Sequence, residues 1–192
     1  MSAPTYLVRH GQSEWNVQRL TQGQTSHPVL TDLGRQQAET AAALITADLK
    51  ARKVDPPRIV SSDLVRARQT ASIIGERIGV AVLTDPRLRE QHLGSLEGKS
   101  YDETWAAADD HDWSDPTLPI AGGESLMDVY HRMAAVLTGV PDDQPTILVS
   151  HGDSIRAAIA HLHALLPHES SWVDVSNGSV ARVAEDIVWL AQ

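Results

Sequence analysis

The residues best suited to chemistry come directly after short apolar runs of the chain. Arg9, His10 and Gly11 follow the run at 5–8, and His151 and Gly152 follow the run at 146–150. A neutral histidine can attack phosphorus and hold it covalently, and a glycine beside it lets an anion approach the backbone closely. Arginine binds phosphate through paired hydrogen bonds and stays charged. These residue types are the ones that phosphoryl transfer requires.

Two more charged residues follow the other apolar runs. Arg66 lies just beyond the run at 58–61, and Glu90 lies a few residues beyond the run at 81–83. A carboxyl group can protonate a leaving alkoxide and later deprotonate a water molecule. In parallel sheets, ligands bind beyond the carboxyl ends of the strands. We therefore expect these side chains to meet the two histidines at one rim of a sheet.

The elements that must hold this rim can be read from the apolar pattern. The short β-like runs at 5–8, 58–61, 81–83 and 146–150 alternate with longer stretches of helical period. The predicted helices are one capped by Thr31, one capped by Ser62 or Asp63, one capped by Ser125 and one from about Ser154 to Leu165. Alternating strands and helices predict an α/β fold, a three-layer αβα sandwich with a mostly parallel sheet.

The remaining segments complete this expected architecture. Asn177-Gly178 stands between residues 173–176 and 179–183 and is typical of a tight hairpin, which predicts an antiparallel strand at one edge. Residues 100–123 are acidic and rich in Trp and Pro, and they predict a short helix followed by an irregular flap. We expect residues 1–192 to form a single domain with this flap inserted.

Composition excludes several classes of function. The 192 residues carry a formal net charge of −9 and no basic run, which disfavours nucleic acid and anionic membranes as partners. The chain has no cysteine, so disulfides, thiolate metal sites and a cysteine nucleophile are excluded. No apolar run approaches the ~20 residues of a membrane span, and the start lacks the features of a signal peptide. A cytoplasmic location is expected, and a homodimer stays open.

Four stretches resemble, in order and spacing, the signature blocks of the histidine phosphatase superfamily, in its phosphoglycerate-mutase-like branch. They are residues 7–16 (LVRHGQSEWN), 61–71 (SSDLVRARQTA), 88–98 (LREQHLGSLEG) and 149–156 (VSHGDSIR). A lone Arg-His-Gly would be a weak signal, but four blocks in the family's order are specific, and the likeness extends over nearly the whole chain. The resemblance implies a phosphoglycerate-mutase-like fold and metal-independent chemistry without a cofactor.

The resemblance also implies roles for individual residues. His10 is expected to be the nucleophile, and Glu90 the proton donor and then the general base, although Glu97 lies nearby and could be confused with it. The residues expected to bind the phosphoryl oxygens are Arg9, Arg66, His151 and Asn16, and those expected to contact the substrate are Gln22 and Gly23.

Other combinations of residues have plainer explanations. His161 and His163 are two apart on a predicted helix and face different directions, which disfavours a metal pair. Ser13 lacks the Gly-x-Ser-x-Gly turn of a serine hydrolase. The acidic residues between 109 and 115 are expected to be solvated, so no metal site is predicted.

The family contains hydrolases and mutases, and the flap favours the first. No Lys or Arg occurs between Lys99 and Arg132, whereas a mutase must hold a second phosphate. Gln91 stands where mutases usually carry Arg, and Asp153 where they commonly carry Asn. We therefore expect a hydrolase acting on a small phosphorylated substrate. A bisphosphoglycerate-dependent phosphoglycerate mutase is the alternative, and a non-catalytic module that binds phosphorylated ligands is a third reading.

Overall fold

The computed structural model describes residues 3–109 and 111–192. Within them the strands are β1 (Thr5–Arg9), β2 (Arg58–Ser61), β3 (Val82–Thr84), β4 (Thr146–Ser150), β5 (Val180–Val183) and β6 (Ile187–Ala191). The α-helices of the same residues are α1 (Glu14–Gln18), α2 (Asp32–Arg52), α3 (Val65–Ile78), α4 (Tyr101–Ala108), α5 (Leu126–Thr138) and α6 (Gly152–Leu162).

The strands form one mostly parallel sheet in the order β3-β2-β4-β1-β5-β6. Strands β3, β2, β4 and β1 pair in parallel, and β5 pairs antiparallel with both β1 and β6. Because β1, β2 and β4 run side by side in one direction, their carboxyl ends reach the same rim. The predicted mostly parallel sheet with an antiparallel edge is confirmed.

Helices cover both faces of the sheet and give the predicted three layers. On one face α2 and α3 pack over the sheet through small and branched side chains such as Ala41, Ile45 and Ile74. On the other face α5 and α6 contribute Met133 and Ile155 to a second apolar cluster. The alternation along β1 explains both clusters, since Tyr6 and Val8 face the first while Leu7 faces the second. That residues 1–192 form a single domain stays a prediction.

Two of the predicted helix caps are observed, and one is not. Thr31 caps α2 by accepting the N–H of Gly34, and Ser125 caps α5 in a reciprocal arrangement with Asp128. The prediction that Ser62 or Asp63 caps α3 was wrong, because α3 starts after Leu64 without a side-chain cap. The Asp63 carboxylate instead binds the Arg89 guanidinium.

Two further elements, α6 and β3, begin and end at residues other than those predicted. Helix α6 begins at Gly152 and ends at Leu162, so it starts two residues earlier and ends three earlier than expected. Strand β3 covers Val82–Thr84 rather than 81–83. The early start of α6 matters for the site, because it brings the first N–H groups of that helix next to the end of β4.

The hairpin predicted at Asn177-Gly178 was wrong. Residues 173–176 are not a strand, and the observed antiparallel pair is β5 with β6. The carbonyl groups of Val173 and Val175 accept hydrogen bonds from the side chains of Arg156 and Arg9. The backbone of this segment therefore bonds to two arginines instead of forming the first arm of a hairpin.

The flap begins with a helix, as expected. Ser100 caps α4, and the chain then turns irregularly until α5. The flap is joined to the segment after α1, because Thr21 N–H donates to the Lys99 carbonyl and Tyr101 N–H donates to the Arg19 carbonyl. In residues 3–109 and 111–192, no helix combines the length and apolar character that crossing a membrane requires.

Candidate active site

His10 lies directly after β1 and is 2% exposed. Its Nδ1 is 2.7 Å from the carbonyl oxygen of Gly11, so Nδ1 carries the proton and donates it. The other ring nitrogen, Nε2, then has a free lone pair, which accepts the Nε–H of Arg66 at 3.3 Å. Burial, followed by the charges of Arg66 and Arg9, lowers the pKa of His10 well below its ordinary value of 6.5. The ring is thus neutral, with Nε2 directed at a guanidinium.

Arg66 is fully buried in the first turn of α3. Its other nitrogens donate to the carbonyl oxygens of Gly23 at 2.7 Å and Thr25 at 2.9 Å. Burial lowers the pKa of Arg66 to about 10, with Glu90 opposing the change, so the group is still charged at neutral pH. A buried cation whose hydrogen-bond partners are two carbonyl oxygens and a neutral imidazole, with no carboxylate among them, favours an anion nearby.

His151 is the N-cap residue of α6, and its ring centroid lies 5.0 Å from that of His10. Its Nε2 is 2.9 Å from the hydroxyl of Ser62, which also accepts the N–H of Leu64. The Ser62 hydroxyl has one hydrogen to donate, and its donation to Nε2 would place the His151 proton on Nδ1. Burial and the Arg66 charge lower the pKa of His151 well below 6.5, so this ring is neutral too.

Two buried nitrogens of the cluster are unpaired. Within the described chain, Arg9 Nε and His151 Nδ1 have no hydrogen-bond partner. Arg9 is otherwise held by its bond to the Val175 carbonyl, and burial lowers its pKa against the opposing charge of Glu90. Buried donors are normally satisfied, so both fit the oxygens of a bound phosphoryl group.

The carboxyl group of Glu90, a residue of the loop between β3 and α4, lies at the N-terminus of α6. Its Oε1 accepts the N–H groups of Gln91, Asp153 and Ser154 at 3.0, 3.1 and 3.2 Å. Its Oε2 has one long contact, 3.4 Å to the Asp153 N–H. Oε1 is therefore committed to the backbone, and Oε2 is the oxygen able to carry a proton. Burial raises the pKa of Glu90 above 4.5, and the carboxylate of Asp153 adds to the rise.

A second ion pair holds the loop that carries Glu90. The guanidinium of Arg132 binds the Glu124 carboxylate at 2.8 Å and donates to the carbonyl oxygens of Arg89 and Glu90 at 2.6 and 3.0 Å. Glu124 also accepts the N–H of His92. The residues on both sides of Glu90 are thus fixed from the far side of the loop.

The structure also separates Glu90 from Glu97. The carboxylate of Glu97 accepts the N–H groups of Gln24 and Leu93, at 2.8 and 3.2 Å, and the hydroxyl of Thr25. These bonds tie the loop near Gly23 to the loop after Glu90. Glu97 therefore has a role in holding loops, and Glu90 is the carboxyl group at the cluster.

Asn16 and Gln22 belong to a polar network around Ser13. The Asn16 Oδ1 accepts from the Ser13 N–H, the Ser13 hydroxyl and the Asn177 amide, and Gln22 Oε1 lies 2.8 Å from the same hydroxyl. Because its oxygen is already bonded, Asn16 has its amide N–H groups left to donate. Gly23 contributes its carbonyl to Arg66 and has a positive φ of 45°.

Four residues that support the site were missed by the sequence analysis. The amide of Asn177 and the N–H of Gly178 both donate to the His10 carbonyl, and Ser62 and Arg132 hold His151 and Glu90 as described. Ser62 lies inside a signature block, but its position before a helical stretch predicts a helix cap. Asn177-Gly178 reads as a hairpin, and Arg132 lies within an amphipathic helix. In residues 3–109 and 111–192, no cluster of three His, Asp or Glu side chains has metal-site geometry.

Relatives of the chain carry two kinds of name. The probable phosphoglycerate mutase GpmB of Escherichia fergusonii is 35% identical, and the alignment covers 97% of this chain and 87% of that protein. A mycobacterial glucosyl-3-phosphoglycerate phosphatase, solved with VO3, superposes with a TM-score of 0.81 at 34% identity, over 98% of this chain and 96% of that one. A Thermus thermophilus protein superposes with a TM-score of 0.72 at 28% identity, over 98% and 99%.

The predicted phosphoglycerate-mutase-like fold is confirmed by these likenesses. The model of one protein family, the histidine phosphatase superfamily (branch 1), matches residues 5–186. That span includes all four blocks quoted above and every residue of the buried cluster. With a match of this extent and a relative 35% identical over most of its length, the chain belongs to branch 1 of the histidine phosphatase superfamily, whose members are phosphatases and mutases.

Proposed function

We propose that the protein is a phosphomonoester hydrolase that works through a phosphohistidine on His10. The observation that carries this proposal is the state of the His10 ring, in which Nδ1 donates to the Gly11 carbonyl while Nε2 faces the Arg66 guanidinium at 3.3 Å. A phosphoryl group bonded to Nε2 lies within reach of that guanidinium. The unpaired nitrogens of Arg9 and His151 supply further donors, and Asn16 supplies an amide.

In the first step, Nε2 of His10 attacks phosphorus while the bond between phosphorus and the ester oxygen breaks. The departing oxygen takes the proton from Oε2 of Glu90, and the alcohol leaves. The positive charge that develops on the ring is stabilised at Nδ1–H by the Gly11 carbonyl. The raised pKa of Glu90 supports its role as the acid, since a carboxyl group of ordinary pKa would already be ionised at neutral pH.

In the second step, water attacks the phosphohistidine. The Glu90 carboxylate accepts the proton of this water, the bond between phosphorus and Nε2 breaks, and inorganic phosphate leaves. His10 is again neutral and Glu90 again protonated. Gln22 and Gly23 lie on the loop next to Arg66, and we propose that they border the alcohol part of the substrate.

The experiment is turnover of an aryl phosphate together with trapping of the acid-labile phosphoenzyme. The wild type should release phosphate and become labelled, whereas His10→Ala should do neither. The matched control is His163→Ala, which removes a histidine of the surface end of α6 and should change nothing. Undiminished turnover in His10→Ala would refute the nucleophile.

A phosphoglycerate mutase is the second candidate, supported by the names of relatives such as GpmB of Escherichia fergusonii. The contacts of Arg132 argue against a mutase, which must hold a second phosphate. Residues 100–131 contain no Lys or Arg, and the guanidinium of Arg132 is already bonded to Glu124 and to backbone carbonyls. Measuring phosphate release and 3- to 2-phosphoglycerate interconversion on one sample, with bisphosphoglycerate added, separates the two. Faster interconversion than release would make it a mutase.

A non-catalytic module that binds phosphorylated ligands is the third reading, and the Glu90 carboxyl group argues against it. Binding alone needs no proton donor, and whenever Glu90 is ionised its carboxylate would repel a bound phosphate. Tight phosphate binding without turnover on a broad panel would favour the module. The family and the phosphate-binding cluster alone leave sugar phosphates, phosphoglycerate derivatives and nucleotide-pathway intermediates as candidate substrates, and we propose a cytoplasmic location.

A further inference from the structure

A largely apolar cavity of about 450 Å³ lies between the flap and the helices α5 and α6. Its walls include Leu93 and Leu96 from the loop after Glu90, Leu126 and Val129 from α5, and Ala157 from α6. Trp113 of the flap and Trp172, which lies between α6 and β5, complete the apolar walls. A cavity of this size accommodates a small organic ligand.

The cavity lies beside the candidate active site, because residues next to Glu90 and Gly152 in the chain line it. Two of its lining residues flank the Glu90 carboxyl group, since Gln91 follows it in sequence and Asp153 donates its N–H to it. Arg156, another lining residue, approaches Arg9 across Gly152. A Cβ placed on Gly152 would be 3.2 Å from Arg156 Nη1 and 3.7 Å from Arg9 Cζ. Both guanidinium groups therefore lie close to the side of Gly152 where any other residue would carry a side chain.

The charges on the cavity wall neutralise each other. The Arg156 guanidinium binds the Asp153 carboxylate at 2.8 Å, donates to the Val173 carbonyl and stacks 3.8 Å above the centre of the Trp172 ring. Its positive charge is therefore already paired, and its flat face is covered. The flap contributes no Lys or Arg at any position from 100 to 131.

Resting on the proposed hydrolysis, we propose that this cavity is the leaving-group site and selects phosphomonoesters of uncharged, apolar alcohols, with planar aromatic or branched hydrocarbon bodies. In this proposal the Glu90 carboxyl group, bonded by Gln91 and Asp153 of the cavity wall, gives its proton to an alcohol held in the cavity. A substrate with a carboxylate or second phosphate on its alcohol would place that charge among leucines, beside an arginine that is already paired. Burying an unpaired charge is costly.

Three phosphonates test this without any turnover, because their carbon–phosphorus bond is not hydrolysed. They are methylphosphonate, 2-carboxyethylphosphonate and 1-naphthylmethylphosphonate, each titrated calorimetrically into the wild-type protein at one pH. We expect the naphthyl compound to bind at least tenfold more tightly than the carboxyethyl compound. Equal or weaker binding of the naphthyl compound overturns the proposal.

Two variants locate the effect, and a third is the control. Trp172→Ala should weaken the naphthyl compound about fivefold or more and leave methylphosphonate within twofold. Trp172 is 77% exposed, so its removal leaves the core intact. Trp105→Ala is the matched control, since Trp105 is 70% exposed and does not line the cavity. Identical behaviour of the two tryptophan variants contradicts the proposal.

The second locating variant, Leu126→Asp, places a carboxylate in the cavity wall at the first residue of α5, where the helix N-terminus tolerates it. It should weaken the naphthyl compound more than methylphosphonate, and an equal effect on both overturns the proposal. Aryl phosphate turnover is scored separately. Tight naphthyl binding without phosphate release refutes the hydrolase alone, whereas hydrolysis with equal preference for anionic and apolar alcohols refutes the cavity's selectivity alone.

Discussion

The Nε of Arg66 lies 3.3 Å from Nε2 of His10, although the two residues are 56 positions apart in the chain. The same guanidinium is anchored by the carbonyl oxygens of Gly23 and Thr25. Arg66 thus joins three segments, namely the end of β1, the loop at 22–25 and the start of α3. Its planar fork is what allows one side chain to meet the two carbonyls and the imidazole together.

The first prediction concerns this fork. Arg66→Lys keeps the charge but removes the bidentate geometry, so one hydrogen bond to a charged group is lost in the transition state. Such a bond is worth about 1.5–3 kcal/mol, and kcat/KM on an aryl phosphate should fall about 10- to 150-fold. Arg68→Lys, two positions along the same helix, is the control and should change kcat/KM by less than twofold. Equal rates for Arg66→Lys and wild type would contradict a role in binding the phosphoryl group.

The second prediction concerns pH. His10 must be neutral, and its pKa is lowered well below 6.5, so kcat/KM should rise as pH climbs through that low value. Glu90 must be protonated, and its pKa is raised above 4.5, so kcat/KM should fall as pH climbs through that raised value. The profile is a bell between the two. Glu90→Gln should lose the alkaline limb and about 10²–10⁴-fold of the rate.

The control for this profile is the substrate's own ionisation. Two aryl phosphates whose phosphate groups differ in pKa are compared in one buffer series. A decrease of kcat/KM that shifts with the substrate belongs to the substrate, and one that does not shift belongs to the enzyme. An alkaline limb that survives in Glu90→Gln would assign it to another group.

The third prediction concerns Ser62. Its hydroxyl lies 2.9 Å from His151 Nε2, and we expect it to donate there, which would keep the proton of the ring on Nδ1. Ser62→Ala frees the ring to carry its proton on either nitrogen. A neutral hydrogen bond is worth about 0.5–1.5 kcal/mol, so kcat/KM should fall roughly two- to tenfold. Nitrogen-15 shifts of the imidazole should report the change of tautomer.

The matched control is Ser61→Ala, because the Ser61 hydroxyl is equally buried but bonds to the backbone carbonyl of Ser62. It should leave the tautomer of His151 unchanged. If both variants give the same nitrogen shifts, Ser62 does not set the proton of His151.

The fourth prediction concerns stability. Arg132 and Glu124 are 14% and 22% exposed at the side chain and share two hydrogen bonds. Arg132→Ala leaves a partly buried carboxylate without its cation, which should lower the free energy of unfolding by about 3 kcal/mol in urea titrations. Arg87→Ala removes an exposed pair with Asp85 and should cost under about 1 kcal/mol. Similar losses for the two variants would contradict the importance of the Arg132 contacts.

The same pair gives stability a pH dependence of known sign. Burial acts to raise the pKa of Glu124, but the hydrogen bonds from Arg132 and His92 outweigh it and hold that pKa below 4.5. A carboxyl group with a lowered pKa stabilises the fold above its ordinary pKa and loses this contribution as pH falls through the folded value. Acid should therefore destabilise the wild type through this group, and Arg132→Ala should lack that part of the loss.

The sequence correctly predicted the strands, contacts and caps that depend on a single physical rule. Apolar runs ending in polar residues located β1, β2 and β4, and the shared rim of a parallel sheet then brought His10, Arg66 and His151 together. The Thr31 and Ser125 caps followed from local hydrogen bonding alone. Each of these features depends on neighbouring residues or on one rule of sheet topology.

The sequence failed where distant partners compete for a group. Ser62 and Asp63 have side chains suited to capping a helix, but the Ser62 hydroxyl bonds to His151 and the Asp63 carboxylate bonds to Arg89. Asn177-Gly178 has the chemistry of a hairpin turn, but its donors are used by the His10 carbonyl. A local pattern cannot report such competition, because each competitor lies more than 25 positions away.

Strand β1 lies between β4 and β5, which are made more than 130 residues later in the chain. A nascent polypeptide that has left the ribosome only as far as residue 145 carries His10 but lacks both strand neighbours of β1 and the turn at Asn177. Such long-range pairing slows folding. The pocket around His10 therefore cannot assemble before β4, β5 and Asn177 have been synthesised, and a shorter nascent chain lacks it.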